Sequence, residues 1–306
     1  MPKSEQGAVR RALSRFALPA AALAVAALLV TFPIWSTPWE SSRYATGILR
    51  DMLILAILAL SLDLLVGSAG MPSLGHAAYF GAGAYAAAIA GQRLGNDDLL
   101  LGLGAAILVS ALLALVIGTV AVRAAGIFFL MLTLAFAQMV FAIAFQAADI
   151  TGGSNGLVVF LLVLLLAWRL RSSAYGRALV GLRENERRMR ALGYDTTRLK
   201  LSAFVVAGAI AGVGGALQAY SIRFVSPNDV GVARSVEAFV SVLIGGVSTL
   251  LGPVVGAVVV LFIERVMPSY IAFSETVLGL VFIVFVLAAR RGIVGLVRES
   301  YARVRA

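Results

Sequence analysis

Hydrophobic positions in this chain do not alternate or fall on one helical face; they run on. Apolar stretches of about 20 residues, each long enough to cross the hydrocarbon of a bilayer as a helix, occupy 16–34, 47–66, 99–122, 126–147, 201–222 and 270–289. Shorter apolar segments at 76–91, 156–168, 233–246 and 254–267 are each bounded by Gly, Pro or charge. Counted as crossings, they bring the expected number of spans to about ten; with two of them as re-entrant loops the number is eight and its parity is unchanged. In lipid the backbone must satisfy its own hydrogen bonds, which restricts such segments to helices. The expected fold is therefore all-α, a polytopic transmembrane bundle with some broken or short helices, forming one domain over residues 1–306.

The polar positions are equally organised. They collect in an N-terminal tail (1–15), a long internal segment (169–200) and a C-terminal tail (290–306). Lys3, Arg10, Arg11 and Arg15 precede the first apolar run in the manner of a signal peptide, but the run at 16–34 exceeds a signal core in length, so a retained first helix is expected. The internal segment predicts one helix from Tyr175 to Leu192, stopped by a left-handed Gly193. On it Ala178, Leu179, Leu182, Met189 and Leu192 form an apolar stripe opposite a charged face.

Composition agrees with a membrane protein: 61% of residues are hydrophobic, 13% are charged and mean hydropathy is +0.97. The net charge of +10 suggests nucleic acid until the basic residues are located. Nineteen of the 25 Lys and Arg lie in the two tails, at Arg123 and in the 169–200 segment. The other six, Arg43, Arg50, Arg93, Arg223, Arg234 and Arg265, fall at the opposite ends of the spans, in company with Glu40, Asp51, Asp97, Asp98, Asp149 and Asp229. This is the positive-inside pattern, and it predicts cytoplasmic N- and C-termini; no basic patch interleaved with aromatics speaks for nucleic acid. Cysteine is absent, so disulfides and thiolate metal sites are excluded.

Two apolar regions contain residues that lipid does not favour. The stretch "ALSLDLLVGSAGMPSLGHAAYFGAGAY" (Ala59–Tyr85) holds an acid, a proline, several glycines and the only histidine, and "GGVSTLLGP" (Gly245–Pro253) repeats the Gly/Pro interruption in the other half of the chain. Broken backbone at membrane depth survives only where protein or a water-filled cavity surrounds it, and paired interruptions point to a transport pathway. The two breaks are expected to face each other across it, the alternative being two ordinary cytoplasmic turns. Asp63, Gly70, Ser73, Gly75, His76, Glu237, Gly245 and Gly246 are the candidate pathway residues. Asp63 and Glu237 are the acids well inside predicted spans, where each costs about 2.5–3.5 kcal/mol at a helix centre. Asp63, near an inner end, needs a partner or access to headgroup water. Glu237 follows Arg234 by three residues and is expected to pair with it. His76 is expected to bond backbone groups at a helix start, the alternative being a proton relay or ligand. Small residues at 81, 83, 208, 212, 214 and 215 predict close helix crossings.

Two motif searches are negative. "GGSNG" at 152–156 fits G-x-S-x-G, but it joins two membrane helices and no strand precedes it, so hydrolase chemistry is not expected. No G-x-x-x-x-G-K-[ST] occurs, so no phosphate-cradling loop is present.

The ordered set "LALSLDLLVGSAGMPSLGHAAYFGAGAY", "TGGSNGL", "AYGRALVGLRENE", "ALGYD", "LKLSAFVVAGAIAGVGGAL", "VSP" and "SVEAFVSVLIGGVSTLLGPVVGA" resembles the M-type permease subunits of branched-chain amino acid ABC importers, from about residue 47 to 297. The resemblance implies a multi-pass subunit of a bacterial inner membrane, not itself an enzyme, that works by alternating access. Its implied partners are a homologous second permease, two cytoplasmic ATPase subunits that carry the ATP and Mg, and a periplasmic solute-binding protein, all within membrane lipid and without nucleic acid. The 169–200 segment is similar to the coupling loop of such importers, and Arg183, Glu184, Asn185, Glu186 and Gly193 are the residues it implies for ATPase coupling. A solvated connector facing anionic headgroups would also explain the arginines; a capped amphipathic helix favours docking. Arg188 and Met189 stand where importers usually have small residues, and Asp63 stands where the family commonly has Asn. Branched-chain amino acids are the expected cargo, with urea or short amides as alternatives. An ion-coupled secondary transporter is the rival class, and would need acids organised along one path.

Overall fold

In the computed structural model the residues described are 41–94, 98–145, 156–222, 225–266, 279 and 292–295. Two compact units divide the chain, Met1–Leu49 and Arg50–Ala306, and the second carries the bundle. Among the described residues the secondary structure is helical throughout. The apolar runs become α1 (Ser41–Asp63), α2 (His76–Leu94), α3 (Leu99–Ala121), α4 (Ile127–Phe145), α5 (Gly156–Ser172), α8 (Thr196–Ile222), α9 (Val232–Gly245) and α10 (Gly252–Leu261). The polar segment supplies two further helices, α6 (Ala174–Glu184) and α7 (Glu186–Ala191). The expected spans at 16–34 and 270–289 lie outside the described residues.

Four stretches are long and apolar enough to cross a membrane, Thr46–Ala69, Leu99–Ala121, Ile127–Ala144 and Thr196–Ile222, and the bent pair α5–α6 would add a fifth. α2, largely buried, and the shorter helices α9 and α10 complete the bundle. Burial separates the long helices into two kinds. The most apolar window of the first is 89% buried and that of α8 is 72% buried, against 28% for α3 and 22% for α4. Thus α1 and α8 form the interior, while α3 and α4 turn Val116, Phe128, Met131 and Met139 outward, as lipid-facing helices must when hydrocarbon replaces water.

Small residues let the interior helices approach. A side chain at Gly83 would meet the backbone of Gly212, and one at Gly215 would meet the carbonyl of Phe80, so α2 and α8 are in backbone contact. On the other side of α8, Gly208 abuts Ala114 and Gly212 abuts Ser110 of α3. Ser110 Oγ donates to Tyr79 O at 2.8 Å, which satisfies a hydroxyl that hydrocarbon could not. Edge-to-face rings continue the packing from His76 to Tyr79, Phe204 and Phe129, with centroids 5.5–5.8 Å apart.

Candidate functional site

The first break begins where α1 widens its ladder. Leu64–Ala69 form a π-helical turn, and Gly70 ends it in the left-handed region (φ 71°), its N–H donating to Leu65 O. Residues 71–75 then run without helix until His76 starts α2. The segment is wedged against α4: a side chain at Gly75 would strike Thr133 O, and Leu74 N donates to Thr133 Oγ1 at 3.3 Å. Ser73, fully buried, accepts from Gly75 N. His76 is also fully buried; its Nε2 pairs with Ser61 Oγ at 2.8 Å, and its Nδ1 has no partner. The next residue's N–H donates to Ser235 Oγ of α9 at 2.8 Å. The expected helix-start role thus holds for His76 by position, but its bond is to a side chain of α1.

The second break lies between α9 and α10. Gly246 caps α9 with φ 117°, which only glycine adopts without strain, and Pro253 sits in the first turn of α10. Ser248 holds a left-handed backbone (φ 64°), the one non-glycine residue to do so among the described residues. Both flanking helices need their glycines here, because a side chain at Gly245 would strike Gly252 O and one at Gly256 would strike Ser241 O. Gly292 of the C-terminal segment packs on Gly246.

The two breaks touch, where the sequence suggested a gap between them. Ser248 N donates to Asp63 Oδ1 at 2.8 Å, and Ser248 Oγ donates to Gly67 O. Arg171, in the last turn of α5, donates from Nη1 to Asp63 Oδ2 at 2.8 Å, which leaves the Asp63 side chain only 2% exposed. The acid is therefore buried and paired, and does not reach water.

The polar loop completes this junction. Ser173 caps α6, its Oγ accepting from Gly176 N, while Leu179 and Leu182 are buried beneath the helix. The expected single helix from Tyr175 to Leu192 is in fact two. Asn185 takes an extended conformation (φ −159°, ψ 93°), its N–H closing α6 on Gly181 O while its side chain accepts from Arg188 N to open α7. An asparagine competes with the helix for its own backbone, and here the cap wins. The predicted stripe splits accordingly: Met189 is buried, but Leu192 is 66% exposed. Gly193 takes the left-handed stop (φ 87°).

The residues named for coupling point in different directions. Arg183 reaches across to the breaks while remaining exposed: its Nη1 donates to Gly67 O and to Ser248 Oγ, and its aliphatic stem covers Gly70. Glu184 faces outward. Glu186 accepts from Arg190 at 2.7 Å and from Lys200 at 2.8 Å. Its partial burial acts to raise the carboxyl, but the bonds from Lys200 and Arg190 outweigh it and hold the pKa below the ordinary glutamate value. Tyr175 shares a 2.9 Å hydrogen bond with Ser202; burial, offset in part by that bond, raises its phenol. A cleft of about 200 Å³ opens between loop and first break, lined by Gly70, Met71, Phe129, Arg183, Glu186 and Lys200 among others.

Glu237 stands apart from this junction. It accepts from Arg234 at 2.6 Å, the pairing expected from their spacing, and the Arg234 guanidinium lies 5.5 Å from the Phe80 ring centre. Of the candidate residues, then, Asp63, Gly70, Arg183 and the second break are brought together, Ser73, Gly75 and His76 pack against α4, α1 and α9, and Glu237 is elsewhere. Sequence reasoning did not find Arg171 or Ser248. Arg171 carried a usable signal, since it ends an apolar run whose direction brings it to the same end of the bundle as Asp63. Ser248 carried none. Among the described residues no three His, Asp or Glu side chains converge to hold a metal.

A family described as branched-chain amino acid transport system, permease component, matches residues 44–157 and 126–289. The high-affinity branched-chain amino acid transport system permease protein LivM of Salmonella typhimurium is 28% identical, over 90% of this chain and 75% of its own. LivM of Escherichia coli K12 is 26% identical, over 91% and 76%. The autoinducer 2 import system permease protein LsrC of Yersinia pestis is 31% identical over 37% of this chain and 33% of its own. No solved structure matches.

Proposed function

Since the chain belongs to the permease-component family of branched-chain amino acid transport systems, we propose that it is the membrane-spanning subunit of an ATP-driven importer. Its cargo is a branched-chain or related amino acid. Ten crossings, both termini in the cytoplasm and a bacterial inner-membrane location complete the reading. The charge distribution supports this topology: nine basic residues fall between Arg169 and Lys200 alone. A second, homologous permease, two ATPase subunits holding ATP and Mg, and a periplasmic binding protein are its partners. Nucleotide closure of the ATPase pair would draw the polar loops together and reopen the cavity toward the cytoplasm.

One observation carries this reading. A capped helix bent 66° from the preceding span buries Leu179 and Leu182, bonds to both breaks through Arg183 and leaves Glu184 exposed, as α7 after it leaves Arg187 and Arg188. A passive connector needs neither the cap nor the contact. The ion-coupled alternative is disfavoured because Asp63 and Glu237 each pair with an arginine, in separate places. LsrC is named for a different cargo, so urea and short amides stay within the same importer class as alternative substrates.

Removing residues 175–193 should leave a chain that inserts in the membrane but does not co-purify with ATPase subunits; retained co-purification would overturn the docking role. Uptake of labelled leucine against labelled urea, with the cognate binding protein, decides the cargo.

A further inference from the structure

The loop helix α6 is fastened near its leading end to the first break and at its trailing end to both. At its leading end Arg171, two residues before the Ser173 cap, holds Asp63 at 2.8 Å. At its trailing end Arg183 donates to Gly67 O in the first break and Ser248 Oγ in the second. These bonds join positions 108, 116 and 65 residues apart in the chain, so none follows from local helix geometry. The breaks are also joined directly, through Ser248 N to Asp63 Oδ1. Ser248 makes this bond from a left-handed backbone that a non-glycine residue holds only when its surroundings enforce it. A rod of 11 residues, roughly 16 Å long, that is bonded to the first break near one end and to both breaks at the other cannot tilt or slide without them.

We infer that Arg183 is a positioning residue that locks the coupling helix to both membrane breaks, so that helix and breaks move as one body during transport. The inference rests on the proposed function. It assigns the Arg183 guanidinium to the two breaks, although the residue as a whole stays exposed, and leaves ATPase contact to Glu184, Arg187 and Arg188. A lock of this kind converts displacement of the loop into displacement of Gly67 and Ser248, one in each half of the chain, without a flexible joint in between.

Two measurements test it. In the transporter reconstituted with its ATPase subunits, Arg183→Ala should keep the subunits together and hydrolysing ATP, while cargo moved per ATP falls about ten-fold; Arg183→Lys, which retains a donor on an aliphatic stem, should recover most of it. Unchanged cargo per ATP, or loss of ATPase binding in Arg183→Ala, would overturn the inference. The second measurement needs no partner. The chain lacks cysteine, so spin labels on Glu184→Cys and Val247→Cys report one distance. A single narrow distribution should broaden in Arg183→Ala and narrow again in Arg183→Lys; identical distributions in all three would show that the lock does not exist. If the labels behave as expected but no ATPase associates with the unaltered chain, it is the proposed function that fails.

Discussion

Two ion pairs in this protein use the same chemistry and do different work. Arg234 and Glu237 lie three residues apart on α9, partly exposed at 13% and 25%, and one is the other's nearest possible partner whatever the rest of the chain does. Arg171 and Asp63 are separated by 108 residues, and the acid is 2% exposed. The first pair neutralises charge locally. The second holds the polar loop to the first break, and with Ser248 to the second. The difference teaches that a buried acid in a membrane bundle gains its meaning from what else arrives at the same depth, since its burial is tolerable only with that company.

The comparison breaks most sharply at Asp63. Asp63→Ala removes one partner of a buried pair and leaves Arg171 and Ser248 N without an acceptor, so thermal unfolding in detergent should show a loss of about 3 kcal/mol. Glu237→Gln should cost no more than about 1 kcal/mol in the same assay, because the pair is local and partly solvated and Arg234 keeps its place over Phe80. If the two variants cost the same, the distinction drawn between the pairs is wrong. The smallest effect concerns Glu186, whose pKa is lowered in the folded loop. A lowered folded pKa means that the stabilisation is present above the unfolded value and disappears as pH falls through the folded one. A mobility label on Arg187→Cys should therefore loosen only below the ordinary glutamate value of 4.5, and Glu186→Gln should show the loosened state at neutral pH with no further change on acidification.

Much of the architecture was legible beforehand. The apolar runs at 47–66, 99–122, 126–147 and 201–222 return as helices within a few residues of those bounds, because in hydrocarbon no other conformation satisfies the backbone. The small residues at 83, 208, 212 and 215 return as helix contacts, and Gly193 returns as a left-handed stop. The division of the polar segment at Asn185 was missed, although "RENE" contained a good capping residue; its continuous charge pattern hid the interruption. The junction itself was only half visible. Asp63, Gly67, Gly70, Gly245 and Gly246 were conspicuous as residues ill suited to lipid, while Arg171 looked like one more basic flank and Ser248 like an ordinary turn.

Residue composition and order determined by themselves that this is a helical membrane bundle, roughly where its long apolar helices run, and that Arg234 pairs with Glu237, because each of those outcomes depends on solvent and on neighbours a few residues away. Only the tertiary structure decided that α1 and α8 lie inside while α3 and α4 face outward, that the two breaks meet, and that Arg183 turns toward them. Such outcomes depend on which distant segments share a depth and an orientation, and the energy of a buried charge or an unpaired carbonyl is set by that arrangement.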